Sequence, residues 1–183
     1  MIHLHRKKTG AIVRPFFLRL IAVALIAFLL AVVAVRLMKY LARPCLIVDA
    51  DNKILAAAQI ENFDDFSFST RFIHSVQKTP VEEFFKIDEK THEIILESTR
   101  YQSFGVGLPF LTSDGNFRRE GNHFVMDGME RKMKTLGLRP GVSTKLTLFI
   151  GDAEYPLYDM VETGALIQVH VGNNFERLIA HGR

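Results

Sequence analysis

Apolar positions along this chain follow two different periods. From Leu20 to Val35 they run unbroken as LIAVALIAFLLAVVAV, and a helix with no polar face belongs in lipid rather than against a soluble core. These 16 residues, at about 1.5 Å rise each, give roughly 24 Å against a hydrocarbon core of ~30 Å. Phe16, Phe17 and Leu18 before the run and Leu37 and Met38 after it supply the missing length, with Arg19 and Arg36 snorkelling toward the headgroups. The pattern predicts a transmembrane anchor over residues 16–41 behind a tail over 1–15. A cleaved secretory signal is the competing reading, with an apolar region of ~7–15 residues and an A-x-A-like exit. Here the run is longer and the exit, Ala42-Arg43-Pro44, opposes processing. Pro44 ahead of Cys45 also fails a lipoprotein signal.

From Cys45 onward the period falls to that of strands. Cys45–Asp49 and Ile54–Ile60 flank a turn at Ala50–Lys53. Phe63–Ser69 reads as a connector or short edge piece. Next comes a hairpin, Arg71–His74 climbing and Val81–Ile87 returning. In Glu93–Tyr101, Ile94, Leu96 and Ser98 alternate with Ile95, Glu97 and Thr99. Two short strands, Phe117–Glu120 and His123–Met129, surround Gly121-Asn122. Pro140-Gly141 marks a turn, and Lys145–Ile150 and Ala165–Val171 alternate cleanly. Glu176–Ala180 reads as a last short strand or a frayed end. Many short strands without an amphipathic helix between them predict a mainly β domain over 44–183, either an antiparallel β-sandwich or a partly open barrel.

Charge sharpens the topology. Residues 1–43 carry eight Lys/Arg and no acid, whereas residues 44–183 carry fifteen Lys/Arg against twenty Asp/Glu, net −5. The folded part is therefore mildly acidic, and nucleic acid is not an expected partner. Five basic residues precede the apolar run and three follow it closely, which favours a cytoplasmic N-terminus and an external domain. The single cysteine, Cys45, has no partner for an intrachain disulfide and reads as a small buried hydrophobe.

The most specific chemistry lies in the hairpin His74-Ser75-Val76-Gln77-Lys78-Thr79-Pro80-Val81-Glu82-Glu83. If Val76 faces Val81, His74 lies opposite Glu83 and Phe72 opposite Phe85. Phe72, His74, Val76, Val81, Glu83, Phe85 and Ile87 then share one face. A His–Glu pair in an apolar stripe is either a satisfied polar couple that fixes register or an acid/base couple. Ser75 points to the opposite face from His74, beside Glu82, which suits a hydrogen bond rather than nucleophile activation. Ser103-Phe104-Gly105-Val106-Gly107 lacks the third glycine and the following helix of a dinucleotide loop. Gly105 and Gly107 read instead as a bend, with close approach to a ligand as the functional version. His92, His123, His170 and His181 are scattered singly, without HExxH or CxxC, and no metal or other cofactor is expected. The binding candidates are His74, Ser75, Glu82, Glu83, Gly105 and Gly107; no catalytic residue is assigned.

Two separated blocks, His74-Ser75-Val76 with Pro80-Val81-Glu82-Glu83, and Gly105-Val106-Gly107-Leu108-Pro109, resemble the bacterial family catalogued as domain of unknown function eighteen-fifty. Cys45-Leu46-Ile47-Val48 is similar to that family's opening strand, so the resemblance runs from about Cys45 to the C-terminal strands. Gln77 departs from it, standing where an acidic residue is common. The resemblance implies no established activity. It implies an association with permeases of TRAP-type solute transporters that use a TAXI-type periplasmic binding protein. The expectation is a single-pass protein of the bacterial inner membrane with a cytoplasmic N-terminus and a periplasmic domain. It would be an accessory or interaction module whose partners are the lipid bilayer and a TRAP permease or its binding protein. The alternative is a periplasmic small-ligand binder or enzyme using the His74/Glu83 hairpin face, for a ligand the sequence does not name.

Overall fold

The computed structural model describes residues 13–103, 108, 109, 111 and 113–180. The chain divides into two units, one ending at Leu41 and one beginning at Ala42. The first contains helix α1, Val13–Leu41. Its stretch Phe16–Leu41, 26 residues, is long and apolar enough to cross a membrane and has none of its apolar window buried.

The second unit is mostly β, in two antiparallel sheets. Its strands are β1 (Pro44–Ala50), β2 (Lys53–Gln59), β3 (Ser67–Ile73), β4 (Pro80–Ile87), β5 (Ile94–Tyr101), β6 (Asn116–Glu120), β7 (His123–Asp127), β8 (Arg131–Met133), β9 (Thr135–Leu138), β10 (Thr147–Ile150), β11 (Ala153–Tyr155) and β12 (Ile167–Asn173). Two short helices, α2 (Leu157–Met160) and α3 (Asn174–Ala180), complete it. One sheet has the order β2-β1-β12-β9; the other runs β11-β10-β3-β4-β5-β7-β6, with β8 also paired to β5. One core joins them: Leu46, Val48, Ile167 and Val169 from the first sheet meet Phe68, Phe85, Ile94, Leu96, Met126 and Leu148 from the second. The alternating positions of β12, with Leu46 and Val48 of β1, thus become one face of a sandwich.

Local chemistry explains the tight turns. Asp51 and Asn52 join β1 to β2 with φ of 49° and 63°, the positive pair that a two-residue hairpin needs and that Asp and Asn tolerate. Gly121, with φ 61°, does the same between β6 and β7. Cys45 is fully buried, as its neighbours predict, and burial pushes its thiol up.

Four expectations change. The register of β3 and β4 pairs Phe72 with Val81, Thr70 with Glu83 and Phe68 with Phe85, so Glu83 does not face His74. The pairing slips by an even number of residues, so the faces survive although the partners change. In β5 the alternation breaks: Phe84 pairs with Ser98 but Phe85 with Leu96, leaving Glu97 as a bulge. Ile94, Ile95 and Leu96 before it and Thr99 and Tyr101 after it are the buried positions, and the Glu97 carbonyl accepts from Met129 N–H at 3.0 Å. Phe63–Ser69 is no mere connector, since β3 already begins at Ser67. Finally, Glu176–Ala180 is helical, within α3. The Asn173 side chain caps it by accepting from Glu176 N–H at 2.9 Å.

Candidate functional site

The β3–β4 connection is a six-residue loop, not a tight turn, and His74 organises it. His74 N–H donates to the Thr79 carbonyl and the His74 carbonyl accepts from Lys78 N–H, both at 2.9 Å. Its ring Nδ1 accepts from the backbone N–H groups of Val76 (3.3 Å) and Gln77 (3.2 Å). A nitrogen that accepts is unprotonated, so the neutral ring carries its proton on Nε2. Lys78 takes the positive φ of 56° that closes the loop. Val76, apolar in sequence, is 67% exposed at the tip.

Glu83 stands on the inner face of β4. Its Oε2 accepts from the hydroxyl of Thr70 at 3.2 Å, and Thr70 is fully buried. Burial pushes the Glu83 carboxyl up, against the Thr70 hydrogen bond and the Arg131 charge, which pull it down. Glu82 points the other way. It pairs with Arg71 at 2.9 Å and lies 3.9 Å from Arg100 on the outer face, so the hydrogen bond expected from Ser75 is replaced by an ion pair. Ser75 sits in the loop itself.

His74, Ser75 and Glu83 come together in a cleft of about 470 Å³ that Arg139 of the β9–β10 connection also lines. Phe72, Leu108, Leu136 and Leu146 give it apolar walls. Glu83 and Arg139 supply an acceptor and a donor, the combination that orients a small polar ligand or a peptide backbone within an apolar slot. Arg139 is itself steadied by the Gly164 carbonyl, which accepts from its Nη1 at 2.7 Å. The site lies toward one end of the sandwich. Leu138 pairs with Ile167, while Pro44, where the domain begins, pairs with Asn173 at the other end of β12. Six residues of strand separate those two levels by about 20 Å.

The second motif block reaches the same place. Tyr101 hydroxyl donates to the Pro109 carbonyl, Leu108 is buried against Val81 and Tyr101, and Ser103 hydroxyl donates to Gln77 Oε1 at 3.1 Å. The side chain at the position where the sequence departs from the family it resembles thus ties the hairpin loop to the following loop. Gly105 and Gly107 lie outside the described residues. Residues 68–157 match the model of a family described as "Domain of unknown function (DUF1850)". The matched span carries the hairpin, the loop after β5 and Arg139, hence all the elements that build the cleft. It is shorter than the resemblance expected from Cys45 to the C-terminal strands, leaving β1 and β12 outside it. No curated protein and no solved structure matches the chain.

Sequence reasoning missed Thr70, Arg139 and Leu146. Thr70 was hidden by the register, and β9, which brings the Arg139 segment to the cleft, is only four residues long. Among the described residues no three His, Cys, Asp or Glu side chains converge as a metal site.

Proposed function

We propose that the chain is a membrane-anchored accessory module of the bacterial inner membrane, with its β domain in the periplasm, working with a TAXI-type TRAP solute transporter. The observation that carries the anchoring is the exposed apolar helix Phe16–Leu41, which leads within three residues into the first strand of a folded β unit. A stretch this long exceeds the ~20 residues that a span requires. The transporter partnership rests on the family resemblance of the His74 and Gly105 blocks, and the cleft they build is the surface offered to the permease or its binding protein.

Crosslinking in native membranes followed by affinity recovery of the full chain tests this. Recovery of a TRAP-type permease or its binding protein, lost in a Glu83→Arg/Arg139→Glu double variant that still inserts, supports the reading. Absence of any transporter component from the wild-type sample contradicts it and leaves the cleft to a small ligand or substrate.

A further inference from the structure

Helix α3 is amphipathic the wrong way round for a soluble domain. Phe175, Leu178 and Ile179, at the i, i+3, i+4 spacing of one helix face, are 54%, 49% and 52% exposed. On the neighbouring face Glu176, itself about half exposed, reaches back to the first sheet. Glu176 Oε1 lies 3.4 Å from His170 Nε2, whose ring Nδ1 is 3.4 Å from Asp49. The Glu176 carboxylate also covers Gly172, where a Cβ would strike it. Asn174, fully buried, donates its N–H to the Arg43 carbonyl at 3.1 Å. Arg43 is two residues beyond Leu41, the last residue of α1, and two residues of chain reach at most about 7 Å. The first residue of α3 is therefore hydrogen-bonded to a residue only two positions along the chain from the end of the anchor.

We infer that Phe175, Leu178 and Ile179 form an interfacial contact with the lipid bilayer, giving the domain a second attachment beside its span. The inference rests on α1 being a membrane anchor. Lys39 and Tyr40 close the anchor, a cation and an aromatic of the kind that sit at headgroup level, so the apolar patch meets the acyl boundary while Arg43 and Arg177 meet the phosphates.

The chain contains no tryptophan, which gives a direct readout. Phe175→Trp in the full chain, reconstituted into phosphatidylcholine–phosphatidylglycerol vesicles, should emit at blue-shifted wavelength. It should lose about half its emission when the lipids are brominated near the head of the acyl chain, because an interfacial helix lies roughly 5–10 Å deep. Leu178→Trp provides the same readout if the first variant folds poorly. Val142→Trp, 92% exposed and beyond the strand end distal to Asn173, should emit as in water and stay unquenched. Protein that floats with the vesicles while Trp at 175 and 178 remains unquenched overturns the lipid contact alone, and the patch then belongs to a protein partner. Protein that does not float with the vesicles overturns the anchor and the contact together.

Discussion

The carboxylate of Glu83 accepts a hydrogen bond from the hydroxyl of Thr70, 3.2 Å away across the β3–β4 ladder. Burial outweighs that bond and the Arg131 charge, holding the carboxyl above its ordinary range. The folded chain therefore binds this proton more tightly than the unfolded chain does, and ionisation near neutral pH costs stability.

Glu83→Gln keeps an acceptor for Thr70 and removes the charge. It should raise the melting temperature at pH 8. The gain should shrink as pH falls through the raised folded value and vanish below the unfolded one, about 4.3. A melting temperature lowered at pH 8 and unchanged by acid would mean that the ionised carboxylate has a stabilising partner.

His74 acts as the cap of the β3–β4 loop, its Nδ1 serving two backbone donors. His74→Leu strands both N–H groups and should cost about 1 kcal/mol, as loss of a helix cap does. His74→Asn places a shorter acceptor in the same turn and should recover part of the loss. Denaturant melts of the three chains measure this; equal midpoints for all three would exclude the capping role.

Gly172 is where β12 meets α3. A Cβ there collides with the Glu176 carboxylate and comes within 2.7 Å of Ile47 Cδ1. Glu176 can swing away, but Ile47 is buried. Gly172→Ala should therefore destabilise the domain by about 1–3 kcal/mol, the usual cost of overpacking. Adding Glu176→Ala should relieve only part of it. Calorimetry that finds Gly172→Ala as stable as the parent would show that α3 is loosely held.

The two-sheet fold was legible because β1, β12 and the Asp51-Asn52 turn obey simple rules: a short apolar run in β1, alternation in β12, and turn residues that accept positive φ. The hairpin register was not. Val76 is apolar, so pairing it with Val81 satisfied the pattern, yet the capping of the loop by His74 holds Val76 at an exposed tip. The face assignment of Glu83 survived because the slip was even; its partner did not. Glu97 broke the β5 alternation through a bulge that no residue in the sequence announces. The three-residue strands β8 and β11 are too short to show a period. In α3 the apolar side chains face outward, so its pattern did not mark it as a helix packed on a core. Of the site, the convergence of the two motif blocks is seen only once Tyr101 and Ser103 tie the second loop to the first.

The central claim is an uncleaved anchor with the β domain outside the cytoplasm. Paired fusions after residue 183 test it most directly, one to alkaline phosphatase and one to green fluorescent protein. The account expects an active phosphatase and a dark fluorescent fusion, both of full chain length and both retained in the membrane fraction. A bright fluorescent fusion with inactive phosphatase would reverse the topology. A shortened, soluble phosphatase fusion would show that the apolar helix is a signal sequence removed on export.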